Sequence, residues 1–233
     1  MPRTRPTDRL DQLIEGAAKV FTARGYRRTQ MADVAREMRV SPGTLYNYVE
    51  SKEALFHLLI DRGFLEEPPE PLSTFPMPTP PPGATLKRLR ERLEAGAALP
   101  RLDAALARHR VTDVGTELEG IVRELYSLIA RNRHASALIE RSALDWPELA
   151  ALWFGEMRRG VLERLTRYLK RRVERGYFRP VPDTATAARL ILEVIAWFAW
   201  HRHGDPFTQI DDKLAEETTV HFVMSAVVSE ETS

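Results

Sequence analysis

The chain of 233 residues contains no cysteine, which removes several kinds of site at once. Disulfides, thiolate zinc sites and cysteine nucleophiles are all excluded. The sequence also lacks a phosphate-binding glycine-rich loop, a nucleophile elbow and a zinc-binding helix motif. We therefore predict no catalytic constellation, no metal and no cofactor, and we expect the protein not to be an enzyme.

Long hydrophobic runs are also missing. No apolar run reaches the roughly 18 residues that a membrane-spanning helix needs, and the start, MPRTRPTDRLDQL, has no long apolar stretch. We predict no membrane partner and a cytoplasmic location. The net charge is only +1, so the whole chain is not a non-specific polyanion binder.

Strand patterns and internal repeats are absent, and apolar residues recur at helical spacing along most of the chain. The predicted fold class is therefore all-α. One long helix is expected from Val114 past Asn132 to Leu144, and another is expected to begin after a cap at Asp145 and to stop at Gly176. His201, His203 and His221 do not indicate a metal site, because residues two apart do not share a helical face.

Residues 29–53, TQMADVAREMRVSPGTLYNYVESKE, predict two short helices joined by a tight turn. Ser41 is a natural N-cap, Pro42 suits the first helical position, and Gly43 allows close approach of another backbone. The apolar set predicted to face inward is Val34, Ala35, Met38, Val40, Leu45 and Val49. The set predicted to face outward is Thr44, Tyr46, Asn47 and Tyr48, a surface suited to a DNA major groove.

This segment, in particular SPGTLYNYVESKEALF, resembles the helix-turn-helix of TetR family transcriptional regulators. The resemblance implies a DNA-binding head over residues 1–50, a connecting helix over 51–65 that transmits changes to the head, and a helical-bundle body. It also implies a phosphate contact by Lys52 at the start of the connecting helix. From the residues themselves, we expect Thr29 to cap the first helix of the motif and, with Gln30, to point backbone N–H groups and a hydroxyl at a phosphate. Arg39 departs from the family, which usually has glycine there, so we expect a somewhat different turn.

Charge supports this interpretation. Residues 1–49 contain nine basic and five acidic side chains, a local excess typical of DNA-binding surfaces. Within the arm, residues 1–6, Arg3 and Arg5 either reach a minor groove or have no role.

Eight prolines between residues 66 and 83 exclude a helix or a central strand and predict a linker or lid. Phe75 and Met77 are candidates for docking on the body, and a mobile linker is the alternative. Residues 84–233 are then predicted to form the ligand-binding and dimerisation domain.

The last two helices, residues 184–200 and 211–228, are predicted to form a homodimer interface, because the first is apolar around nearly its whole circumference. The alternative is a central helix buried within one subunit. The expected interface residues are Ile191, Val194, Ile195, Phe198, Phe222 and Val223. Two reading helices related by a two-fold axis predict a roughly palindromic operator in double-stranded DNA.

Aromatic residues of the body are either core or the wall of a ligand pocket. The pocket candidates are Tyr126, Trp146, Trp153, Phe154 and Met157. The resemblance favours a small-molecule inducer of unknown identity and a dimeric repressor that it releases from DNA. The alternative is a ligand-binding or scaffold protein that no longer reads DNA, and Arg39 in place of the usual glycine would be a sign of that loss.

Overall fold

A computed structural model describes residues 6–63, 74–207 and 209–228. The described part is helical, and its only sheet-like pairings are two isolated bridges. The helices are α1 (Pro6–Arg24), α2 (Met31–Glu37), α3 (Pro42–Tyr46), α4 (Lys52–Gly63), α5 (Ala84–Gly96), α6 (Pro100–Ala107), α7 (Val114–Arg131), α8 (Arg133–Ala143), α9 (Pro147–Ala150), a π-helical segment (Ala151–Arg158), α10 (Arg159–Glu174), α11 (Thr184–Ala199), a 3-10 turn (His201–Gly204) and α12 (Asp212–Val227). The all-α prediction is confirmed.

Two compact units divide the chain, and both are discontinuous in sequence. The first unit contains the described residues up to Gly96 together with His134–Glu156, and the second contains Ala97–Arg133 and the residues from Met157 onward. This division cuts across the predicted body, because part of it belongs to the same unit as the helix-turn-helix.

The core of the first unit lies among α1, α2, α3 and α4, where apolar side chains spaced three or four residues apart are almost fully buried. They include Leu13, Ala17, Phe21, Val34, Leu45 and Leu55. Gly16 permits α2 to approach α1, since a Cβ at Gly16 would lie 2.8 Å from Cγ of Met38. The pattern of α1 therefore builds a rigid support for the two helices that follow.

The core of the second unit lies among α6, α7, α10, α11 and α12, and it encloses a buried ion pair. Arg172 is completely buried, its Nε donates to Glu117 at 2.8 Å, and Nη2 donates to the carbonyl of Ala105 at 2.9 Å. The surrounding apolar residues include Leu118, Leu125, Leu165, Phe178, Ile195 and Val223. Removing either partner would leave a buried charge without compensation.

Two helix boundaries differ from the sequence predictions. The predicted helix through Asn132 is wrong: α7 ends at Arg131, and the side-chain amide of Asn132 donates to the carbonyl of Leu128 at 2.9 Å. Trp146, not Asp145, precedes the next helix, because Pro147 occupies its first turn. In contrast, Asp183 and Asp211 cap α11 and α12, and both helices occupy nearly the predicted ranges.

Candidate nucleic-acid interface

The turn between α2 and α3 adopts a left-handed conformation at Arg39, whose φ is 57°. Its N–H donates to the carbonyl of Arg36 at 3.1 Å, and the N–H of Val40 donates to that of Ala35 at 3.0 Å. The expectation of a different turn is therefore wrong, because Arg39 adopts the conformation that glycine favours. A side chain in this conformation costs on the order of 1 kcal/mol. Val40 was expected to face inward, but it is exposed beside this turn.

α3 begins as its sequence predicts. Ser41 is the N-cap: its hydroxyl accepts from the N–H of Thr44 at 3.3 Å and lies 2.9 Å from the hydroxyl of Thr44. Pro42 stands in the first turn. Leu45 is fully buried and anchors the helix, while Tyr46 and Asn47 are exposed on its other face. The structure thus orients a short polar and aromatic surface outward.

Thr29 and Gln30 have different positions from those expected. Thr29 is buried, and its hydroxyl donates to the carbonyl of Gly25 at 2.7 Å, so the hydroxyl is used within the protein. Gln30, and not Thr29 as expected, is the N-cap of α2, and its N–H donates to the Asp33 carboxylate at 3.1 Å. That bond, with Arg24 and Arg36 nearby, lowers the pKa of Asp33. The prediction that the Thr29 hydroxyl faces a phosphate is wrong.

Behind α3, the turn after α1 is joined to the start of α4. The hydroxyl of Tyr26 donates to the Glu53 carboxylate at 2.7 Å. Burial and then this bond raise the pKa of Tyr26, and the same bond lowers the pKa of Glu53. Lys52 Nζ lies 4.5 Å from the centre of the Tyr26 ring and donates to the carbonyls of Tyr26 and Arg27 at 3.1 and 3.4 Å. Lys52 therefore stabilises this corner, and its phosphate contact stays a prediction.

The described part of the proline-rich segment docks on the head, whereas docking on the body or a mobile linker was expected. Residues 74–79 pair with residues 48–51: the Met77 N–H donates to the carbonyl of Tyr48 at 2.8 Å, and the Glu50 N–H donates to that of Met77 at 2.9 Å. The ring of Phe75 meets the ring of Tyr48 edge-on, with centroids 5.8 Å apart. Residues 64–73 of this segment, like the arm residues Arg3 and Arg5, lie outside the described residues.

A further support comes from residues 141–146, which local sequence patterns did not reveal. The Arg141 Nε donates to the carbonyl of Ala23 at 3.0 Å, and the ring of Trp146 lies 4.7 Å from that of Tyr26 and 5.9 Å from that of Phe56. Trp146, predicted to line a ligand pocket, therefore packs within an aromatic cluster behind the helix-turn-helix.

The other pocket candidates are divided between the two units. Trp153 is buried and its indole N–H points to Glu140 at 3.5 Å, and Phe154 is partly exposed in the same unit. In the second unit, Tyr126 is buried and its hydroxyl donates to the carbonyl of Phe198 at 3.2 Å. Two open grooves of about 690 and 730 Å³ lie on the second unit, and neither is lined by Tyr126 or Met157. A pocket at these residues stays a prediction.

Half of the predicted interface residues belong to the second unit's own core. Ile191, Ile195 and Val223 are buried there, so their side chains are not available to a partner. The large apolar side chains that α11 and α12 leave exposed are Leu190, Trp197, Leu214 and Phe222, of which only Phe222 is a predicted interface residue. Val194 and Phe198 are half-buried. A dimer interface on α11 and α12 stays a prediction.

In the part of the chain that the structure describes, no three His, Asp or Glu side chains come together in a way that could hold a metal ion. Among the same residues, no helix has the length and apolar character needed to span a bilayer.

Two family models match the chain. Residues 13–59 match the model of bacterial regulatory proteins of the tetR family, and residues 116–228 match the C-terminal domain of AefR-like transcriptional repressors. The HTH-type transcriptional repressor KstR2 of Rhodococcus jostii strain RHA1 is 25% identical over 202 residues, which cover 86% of this chain and 83% of that protein.

Solved structures show the same fold. The ketosteroid transcriptional regulator KstR2 of Mycobacterium tuberculosis superposes with a TM-score of 0.58 at 20% identity, over 95% of this chain and 96% of that chain. AibR, solved in complex with isovaleryl coenzyme A and operator DNA, superposes with a TM-score of 0.53 at 18% identity, over 94% and 99%. With both its helix-turn-helix and its C-terminal region matched, the chain belongs to the TetR family of DNA-binding transcriptional regulators.

Proposed function

We propose that this regulator is a homodimeric repressor that reads a roughly palindromic operator and is released by a small molecule. The outward surface of α3 is the observation that carries the proposal. Tyr46 is 47% exposed, and Asn47 is exposed beside it, on a helix held from below by the fully buried Leu45. A short helix anchored in this way presents its polar residues to base edges without loss of its own packing.

The chemistry of this surface suits a major groove. The amide of Asn47 can donate and accept, as adenine recognition requires, and the ring of Tyr46 can contact a thymine methyl group. Arg27, Arg28, Arg36 and Arg39 are exposed on the same unit and supply positive charge for phosphates. Gly43 is exposed, and a Cβ there would meet only the Ser41 hydroxyl at 3.9 Å, which leaves room for the DNA backbone.

The dimer is proposed on the apolar residues that the second unit leaves exposed. Leu190 and Trp197 lie seven positions apart on α11, and Leu214 and Phe222 lie eight apart on α12, so each pair shares a helical face. Such faces become buried when two copies form a four-helix interface. Two heads related by the dimer axis could then occupy major grooves about 34–36 Å apart.

Release by a ligand requires that the ligand bind more tightly to a conformation in which the heads no longer fit the operator. α4 is the proposed transmitting helix. Its first turn contacts the head through Lys52 and Glu53, and Asp61 near its end pairs with Arg88 of α5. The alternative of a scaffold that has lost DNA reading is weakened, because Arg39 forms the turn that a helix-turn-helix needs.

The test is selection of bound duplexes from a random DNA pool, followed by affinity measurement on the enriched sequence. Tyr46→Ala should reduce affinity at least about tenfold, consistent with loss of a base contact of 1–3 kcal/mol. Tyr46→Phe keeps the ring and removes the hydroxyl, so its affinity separates the contributions of the two groups to DNA binding. Lys52→Ala is a poor probe of phosphate contact, since it also removes two bonds within the head. If no palindromic sequence is enriched, the proposed operator is wrong.

A ligand screen by thermal shift addresses the inducer. The panel should include isovaleryl coenzyme A, which is bound in the AibR structure. A compound that raises the unfolding temperature and lowers affinity for the enriched duplex supports the repressor–inducer model. A compound that tightens DNA binding would instead indicate a co-repressor.

A further inference from the structure

The proline-rich segment contacts the side chain of Tyr48, a residue of the proposed reading surface. Its main chain satisfies both the carbonyl of Tyr48 and the N–H of Glu50, two groups in the connection between α3 and α4 that have no helical partners. Thr79 adds two further bonds, from its N–H to the Glu50 carboxylate and from its hydroxyl to Ser51, both at 2.9 Å. The segment therefore holds the exit of α3 by main-chain and side-chain contacts.

The ring of Phe75 completes the arrangement. It stands at 81° to the ring of Tyr48 with centroids 5.8 Å apart, a favourable edge-to-face geometry. Phe75 is 44% exposed, so it contributes little to a core, and its ring contact is with Tyr48. The edge-to-face contact suits Phe75 to restrict the orientation of the Tyr48 ring.

We propose that Phe75 is a positioning residue for DNA recognition, which fixes the ring of Tyr48 in the orientation that reads the operator. The inference rests on the proposed DNA-reading function of α3. A half-exposed tyrosine normally loses rotamer freedom when it binds, and Phe75 removes that freedom before the DNA arrives. Phe75 thereby increases both affinity and selectivity at the base pairs that Tyr48 contacts.

A double-mutant cycle on the full-length protein tests the proposal, with the duplex enriched by the wild-type protein as probe. Phe75→Ala should weaken binding about 2- to 10-fold, the range expected for ordering one side chain. In a Tyr48→Ala background, Phe75→Ala should have no further effect, because its role passes through Tyr48. Phe75→Tyr keeps the ring and should restore wild-type affinity.

Selectivity separates orientation from mere structural support. Phe75→Ala should flatten the preference at one or two base pairs of the enriched site and leave the others unchanged, whereas general loosening of the head would weaken all positions together. Thr74→Ala, an adjacent exposed substitution, is the matched control and should bind like the wild type. If Phe75→Ala proves unstable, Phe75→Leu keeps the apolar volume without the ring and should show the same change in selectivity.

Two results would overturn the inference. One is wild-type affinity and selectivity in Phe75→Ala; the other is an equal loss from Phe75→Ala in the presence and absence of Tyr48. Failure of the proposed function itself looks different: the wild-type protein would then enrich no sequence, or Tyr46→Ala would bind the enriched duplex as the wild type does.

Discussion

Tyr26 and Glu53 are 27 positions apart in the chain, yet the hydroxyl of the first donates to the carboxylate of the second at 2.7 Å. This bond joins the turn after α1 to the first turn of α4, and Lys52 covers the same ring. α3, the proposed DNA-reading helix, lies between the two elements in sequence. We therefore expect its orientation to depend on this corner.

Tyr26→Phe should destabilise the protein by about 1–2 kcal/mol, because it removes a hydrogen bond to a charged acceptor. The pKa of Glu53 is lowered in the folded state. Glu53 therefore stabilises the folded protein above the unfolded-state pKa of about 4.3, and this stabilisation is lost as the pH falls. The pKa of Tyr26 is raised in the folded state. Tyr26 therefore stabilises the folded protein below about pH 10, and this stabilisation is lost as the pH rises. Unfolding temperatures across both ranges should vary less in Tyr26→Phe than in the wild type.

Arg39→Gly should stabilise the head by about 0.5–1 kcal/mol, because glycine adopts a positive φ without steric cost. Arg39→Ala is the matched control: it removes the same charge and keeps the strain. Urea unfolding of the three proteins measures the difference. An Arg39→Gly protein no more stable than Arg39→Ala would show that the left-handed turn is not strained.

Gly43→Ala and Gly16→Ala should have opposite effects. A Cβ at Gly43 has free space and helix propensity favours alanine, so the stability of Gly43→Ala should equal or exceed that of the wild type. Its affinity for the enriched duplex should fall about tenfold or more, because the added methyl group collides with DNA. A Cβ at Gly16 would lie 2.8 Å from Met38, so that variant should lose about 1–3 kcal/mol of stability. Thermal unfolding and gel shift on both variants separate the two roles. Unchanged affinity in Gly43→Ala would remove Gly43 from the interface.

Leu190→Glu combined with Phe222→Glu should give a folded monomer. Both side chains are more than 60% exposed within one protomer, at 63% and 62%, so the substitutions cost little in the core and place charges in the proposed interface. Leu144→Glu, at a residue 64% exposed in the first unit, is the control. Sedimentation should show a dimer for the wild type and the control. A wild-type monomer would contradict the proposed dimer.

Local patterns were sufficient where a structure depends on neighbours in sequence. The cap at Ser41, the burial of Leu45 and the ends of α11 follow from hydrogen bonds and periodicity within a few residues. The family resemblance then supplied the function, which propensities alone do not contain.

Contacts between distant residues were missed because no local signal encodes them. From the sequence, Trp146 resembles any other aromatic residue of the body, and only the structure shows its ring in contact with that of Tyr26, 120 positions earlier. A helical stripe likewise does not tell which side meets the core, so Ile195 was expected at an interface where Leu190 and Trp197 are exposed instead. The position of Thr29 differs for another reason: its partner, the carbonyl of Gly25, is only four residues away, but the turn that brings the two together is not evident from the residue types.

The discontinuity of the first unit affects how the protein is made. A ribosome releases the helix-turn-helix early, but Arg141 and Trp146, which pack behind it, emerge only after residues 97–133 of the other unit. Domains generally fold as units during synthesis, so the DNA-reading unit cannot reach its full set of contacts until residue 156 has left the ribosome. Fragments that end at α4 should therefore bind DNA more weakly than their intact sequence motif suggests.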